Sequence, residues 1–170
     1  MEILISDTNI LIDLCGSGLI DRCKDLDVDF RTVDFVVHEI TDLDQAKAVQ
    51  RLIDSGILTV IQFSPEETVE LMDLYARYEL RSNLSLTDCA VMLCAKKGNY
   101  RLLTGDKNLR IKATNEGILV SGILFLTDLL FSEKVVNGGE MADCMETLLQ
   151  QNNRLPKELI RERINLYRKN

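Results

Sequence analysis

Residues 4–14 read LISDTNILIDL, and the reading of this stretch decides the fold. Leu4 and Ile5 form an apolar run, Asp7 breaks it, and Ile10, Leu11 and Ile12 resume it. A buried strand that ends on an acid and leads directly into a helix explains the interruption. Ile3–Ile5 is then a short interior strand, and a helical stretch follows through Leu14, breaks near residues 16–18 and resumes to about Cys23.

The same alternation repeats outward along the chain. Phe35–Val37 reads as a second strand, and His38 to Ser55 as a helix stopped by Gly56. Ile57–Phe63, rich in β-branched residues, reads as a third strand. Ser64-Pro65-Glu66-Glu67 is a helix start, with Ser at the cap, Pro at the first helical position and Glu at the third. Ser85 caps a further helix to Lys97, apolar on every side and so expected to be buried. Arg101–Thr104 is a fourth strand, followed by a helix to about Glu116, and 117–120 a short fifth strand. Strands alternating with helices indicate an α/β domain with a mainly parallel sheet. Beyond Gly138-Gly139, Met141, Cys144, Met145, Leu148 and Leu149 share one helical face, and a basic helix beginning at Pro156 carries Ile160, Ile164 and Tyr167. The expected organisation is a domain over 1–130 and a helical extension over 131–170.

Composition narrows the function. The chain of 170 residues is 46% hydrophobic and 28% charged, which suits a globular domain. Its five cysteines form no CxxC pair and sit mostly in apolar periodic segments, so they read as reduced core residues. No apolar stretch is long enough for a membrane span, and the acidic start does not resemble a signal peptide, so a cytoplasmic protein is expected. The net charge is −7, unlike a passive polyanion binder, yet residues 154–170 carry +4 against −11 for the remainder. The absence of tryptophan argues against a base-stacking platform.

Four acids fall where strands end or buried helices begin: Asp7, Glu39 in VVHEITDL, Asp88 in SLTDCAVMLCA and Asp106 in LLTGD. Ligands of open α/β sheets bind outside the carboxyl ends of the strands. Each acid also has a structural reading: Asp7 and Asp106 as helix caps, Asp88 as the third member of a capping box with Ser85, Glu39 as a helix-start acid. Asp42 and Asp44 compete with Glu39. If the four gather, two carboxylates ~4 Å apart repel by roughly 4 kcal/mol at an effective dielectric near 20, so the cluster must take up protons or cations. Oxygen-only sites suit Mg²⁺ or Mn²⁺, and such ions support in-line phosphoryl chemistry. His38, the sole histidine, reads as a solvent-facing residue.

ISDTNILIDL, the Glu of VVHEITDL, SLTDCAVMLCAKKG and LLTGDKNLR together resemble PIN-domain ribonucleases, in particular bacterial VapC-type toxins and their relatives, over about residues 1–130. The resemblance implies a three-layer PIN-like fold, with Asp7, Glu39, Asp88 and Asp106 as catalytic metal ligands and Thr104 and Asn9 as supporting residues. It further implies Mg²⁺- or Mn²⁺-dependent hydrolysis of RNA, a homodimer, and a protein antitoxin as partner. The alternative is a PIN-like module that binds a partner or RNA without turnover. A haloacid-dehalogenase phosphatase would need a second acid at position 9, which is Asn. A dinucleotide-binding fold would need a GxGxxG pattern, which is absent.

Overall fold

Leu4 and Ile5 are fully buried because their strand, β1 (Glu2–Ser6), is the middle member of a five-stranded sheet. This computed structural model describes residues 1–169; Asn170, the last residue of the expected extension, and the side chains of Leu80 and Arg81 lie outside the described set. The sheet also holds β2 (Val28–Val33), β3 (Leu58–Ile61), β4 (Arg101–Leu103) and β5 (Val120–Ser121), ordered β3-β2-β1-β4-β5 with every pair parallel. Parallel neighbours on both sides explain the uninterrupted apolar run of β1.

Helices connect and flank the strands: α1 (Thr8–Ser17), α2 (Asp34–Glu39), α3 (Leu43–Asp54), α4 (Pro65–Ser82), α5 (Leu86–Gly98), α6 (Lys107–Asn115), α7 (Ile123–Ser132), α8 (Gly138–Gln151) and α9 (Lys157–Arg168). α1 stops at Gly18, whose left-handed φ of 75° lets its N–H close on the Leu14 and Cys15 carbonyls, and a 3-10 turn over Ile20–Asp25 follows. Both expected capping boxes form: Ser64 with Glu67 on α4, and Ser85 with Asp88 on α5. α5 packs across β1, β2 and β4, which explains its apolar circumference; Cys89, Ala90, Val91, Met92, Cys94 and Ala95 are buried. The cysteines are free thiols, and burial pushes those of Cys23 and Cys89 up to about 12.

Two expectations are corrected. Phe35–Val37 is helix, within α2, and the second strand lies just before it at Val28–Val33. The strand hides in the sequence because Asp29 and Arg31 break its apolar pattern. In the fold they pair with each other (Arg31 Nε to Asp29 Oδ2, 3.0 Å), and the guanidinium lies 5.4 Å from the Tyr100 ring centre. The helix expected over His38–Ser55 is two pieces. α2 ends at Glu39, Ile40 is extended, and Asp42 caps α3 by accepting from the Asp44 and Gln45 amides.

At the C-terminal end, Met141, Ala142, Met145 and Leu148 of α8 are buried, and α8 packs on α1, α7 and α9. From α9, Ile160, Ile164 and Tyr167 turn into the core as their spacing predicts. Tyr167 donates to Asp128 at 2.6 Å. Two of the tail's cations pair within the chain, Arg163 with Asp128 at 2.9 Å and Arg168 with Glu146 at 2.6 Å. Among the described residues, no helix is long and apolar enough to cross a membrane.

Candidate functional site

The sheet order sets the place of the site. From β1 the chain runs outward to β2 and β3, then returns to the other side of β1 for β4 and β5. The order therefore reverses between β1 and β4, and a crevice opens outside their carboxyl ends. Asp7 follows β1, and Asp106 lies three residues beyond the end of β4. The Asp7 amide donates to the Leu103 carbonyl at 3.0 Å, so the two strand ends are joined at this point.

Asp7 is the most constrained acid. It is only 3% exposed, and its carboxylate accepts three side-chain or cap bonds: from the Thr8 amide (2.7 Å), Asn9 Nδ2 (2.7 Å) and Thr104 Oγ1 (2.7 Å). Burial still pushes its pKa up to about 6. The Thr104 bond opposes the rise, the Asp88 charge adds to it, the Thr8 amide opposes it, and the Glu39 charge adds to it. Asp88 is also raised, chiefly by burial, against its bonds to Ser85 and with the charges of Asp106 and Glu39 adding. The four acids thus share one field, although each reaches it from a different element.

Each acid also has a local structural task. Asp7 caps α1, Asp106 caps α6 through the Leu109 amide (2.7 Å), and Asp88 Oδ2 accepts from the Ser85 amide (2.8 Å). Glu39, at the end of α2 rather than at a helix start, accepts from Thr8 Oγ1 at 2.7 Å. That bond ties Glu39, not Asp42, to the residue beside Asp7; Asp42 is occupied with capping α3. His38 is exposed, with Nδ1 2.8 Å from the Asp34 carbonyl oxygen.

Thr104 and Asn9 organise the centre. Thr104 is fully buried; its hydroxyl donates to Asp7 and accepts from the Asp106 amide at 3.0 Å, linking two of the acids. Asn9 donates to Asp7 and accepts from the Gly105 amide at 2.7 Å. Sequence reading missed Thr8 altogether, and of Arg110, which it offered as a basic residue for substrate binding, it missed the part played in this network. Thr8 holds Glu39, and Arg110 donates to the Thr104 carbonyl at 2.8 Å. Arg110 is one helical turn after Asp106, a spacing that could have placed it on the same side of α6.

The donor set is oxygen-only, which suits Mg²⁺ or Mn²⁺ rather than zinc. The like charges near a buried Asp7 are relieved by a proton or a cation. As the side chains stand, among the described residues no three His, Cys, Asp or Glu side chains converge closely enough to hold a metal ion. The chemistry of the set fits a hard divalent cation, while the present rotamers serve the helix caps.

A cleft of about 1200 Å³ is lined by Asp106, alone of the four acids, together with Asn9, Lys107, Arg110, Asn152 and Arg154.

A family model described as a PIN domain (DUF3368) matches residues 3–169. The fold is similar to that of PAE2754 from Pyrobaculum aerophilum, with a TM-score of 0.50 and 17% identity over 74% of this chain and 93% of that one. It is also similar to VapBC2 from Rickettsia felis, solved bound to a DNA fragment from its promoter, with a TM-score of 0.49 and 18% identity over 71% of this chain and 98% of that one. No curated protein matches the chain. With a sheet, a site at the strand reversal and a family match that all cover the same residues, the chain belongs to the PIN-domain family.

Proposed function

We propose that this protein is a metal-dependent endoribonuclease, and that it acts in the cytoplasm as the toxin of a toxin–antitoxin pair. The observation that carries the nuclease reading is Asp7: a carboxylate 3% exposed, at the strand reversal, with the charges of Asp88 and Glu39 set against it. A fold that needed only a helix cap there could use Asn, which caps about as well and carries no charge. The toxin assignment rests on the motif resemblance to VapC-type chains.

In this reading Asp7, Glu39, Asp88 and Asp106 would hold Mg²⁺ or Mn²⁺. A bound ion supplies water activation and neutralises charge on the scissile phosphate. The chain's own part is orientation. Thr104 and Asn9 fix the angle of Asp7, the Thr104 bond also favours its charged form, and Thr8 holds Glu39 towards it. Asp88 and Asp106 each use one oxygen for their helix and, among the described residues, make no protein hydrogen bond through the other. Lys107 and Arg110 border the cleft where phosphates of an RNA strand would pass.

A second reading is a PIN-like module that binds RNA or a partner without turnover. The capping bonds of three of the acids favour it, because they hold the carboxylates apart. Incubating the full chain with total cellular RNA in Mg²⁺, Mn²⁺ or chelator separates the two. The nuclease reading predicts cleavage with either ion, none with chelator, and none for Asp7→Asn with ion present. Intact RNA under every condition would leave the binding module.

A further inference from the structure

Asp13 lies four residues after Asn9 on α1, hence on the same helical face, and it lines the cleft that Asp106 also lines. It is 6% exposed. One oxygen, Oδ1, accepts from Asn152 Nδ2 at 2.8 Å. The other, Oδ2, is cut off from solvent and, among the described residues, has no hydrogen-bond partner. A half-paired buried carboxylate is costly to keep, more so than a neutral polar group.

Asp13 is bonded to the connection between α8 and α9, whose Arg154 also sets a favourable charge near it. Asn152 ends α8 with an extended backbone and does two things at once: its Nδ2 pins the connection to Asp13, and its Oδ1 accepts from the Arg154 amide at 3.0 Å. Gln151 lies over Gly16 so closely that a Cβ there would sit 2.3 Å from Gln151 Oε1. Asn152, Arg154, Leu155 and Pro156 line the same cleft as Asn9, Asp106 and Arg110.

We propose that residues 151–156 are a strap gating the cleft to the acid site, held shut by Asn152 on Asp13 and biased towards opening by the unpaired oxygen of Asp13. The proposal rests on the cleft serving the acid site, as in the nuclease reading. Because the unpaired oxygen of Asp13 is also buried, the anchor that holds the strap weakens it at once. Lifting the strap returns Asp13 to water and widens the path to Asp106.

Two substitutions move the strap in opposite directions. Asp13→Asn keeps an acceptor for Asn152 and removes the buried charge, so the closed strap tightens. Asn152→Ala removes the pin and leaves both Asp13 oxygens unpaired, so it opens. Hydrogen exchange of the full chain, followed by mass spectrometry on a peptide spanning 150–157 and referenced to one within α4, reads this without any need for activity. The expected result is roughly tenfold slower exchange in Asp13→Asn and roughly tenfold faster exchange in Asn152→Ala, with α4 unchanged in both. Faster or unchanged exchange in Asp13→Asn overturns the proposal, because an ordinary anchor weakens when its charge is removed. The gate is then read by the association rate of a labelled single-stranded oligouridylate in chelator, expected faster in Asn152→Ala and slower in Asp13→Asn. Equal rates in the two variants would leave a moving strap that gates nothing and would also overturn it. Failure of the wild type to bind the oligonucleotide at all counts against the RNA reading, and the exchange result then decides the strap alone.

Discussion

Asp7 is both a helix cap and a strained charge, and the two roles make different demands on pH. Its pKa in the fold, about 6, lies above its ordinary 3.8, so the fold favours the neutral form. The stability this gives is fully present below about pH 4 and is lost as pH rises through 6, at a cost of about 3 kcal/mol once the group is fully charged. Asp7→Asn cannot titrate. The melting temperature of the variant minus that of the metal-free wild type should therefore rise between pH 4.5 and 7.5, whatever the fixed effect of the amide on Asn9 and Thr104. A pH-independent difference would mean that Asp7 is comfortably charged. Thr104 offers a companion test. Thr104→Val leaves Asp7 without its buried donor and the Asp106 amide without its acceptor, so it should destabilise by about 1–3 kcal/mol and move the Asp7 titration, followed by carboxyl ¹³C NMR, further upward. Thr104→Ser should restore both. At this scale the sequence was informative about identity more than about geometry. An acid after an interior strand was recognisable at Asp7 and Asp106, but the Thr104 hydroxyl that holds Asp7 lies 97 positions away, and the Thr8 hydroxyl holds Glu39 across 31 positions. No local pattern carries such a pairing.

Helices and strands were legible wherever their own chemistry matched their place. The Ser-Pro-Glu-Glu start of α4 and the Ser85–Asp88 box of α5 form as read because capping is local. β2 was not legible, because its Asp29–Arg31 pair and the ring of Tyr100 satisfy charges that local patterning treats as solvent-facing. The break between α2 and α3 was missed for a related reason: VVHEITDL has helical spacing, but Asp42 starts a new helix and Ile40 is extended. Two element-scale outcomes follow. Ser85→Ala removes the α5 cap and should lower stability by about 1 kcal/mol in urea melts. In α9, Tyr167 is fully buried and bonded to Asp128, so Tyr167→Ala should cost about 3–5 kcal/mol. Deleting residues 154–170 would therefore disturb the core, and a direct contribution of this helix to RNA binding is better sought by reversing the charge of Arg161 on the intact chain. A change in the salt dependence of binding would support that contribution, and an unchanged slope would exclude it.

For the molecule as a whole, the alternation of strands and helices was enough to read a parallel α/β sheet, and the order of that sheet explains why the acids that follow β1 and β4 lie at neighbouring strand ends. α4 leaves Val69 and Met72 exposed beside Tyr75, so the homodimer expected from sequence would use that face. Sedimentation equilibrium should show a dimer that Met72→Glu dissociates, whereas a monomer at high micromolar concentration would rule it out. In the proposed nuclease the four acids form a cation site, while Asp7, Asp88 and Asp106 also cap helices. Thermal melts with chelator and with Mn²⁺, compared for wild type, Asp7→Asn and Asp106→Asn, test it most directly, since both variants retain a competent cap. The account predicts that Mn²⁺ stabilises the wild type by about 2.7 kcal/mol at a hundredfold excess over its dissociation constant, and both variants far less. An equal response in all three proteins would contradict it, leaving Asp7 and Asp106 as caps alone.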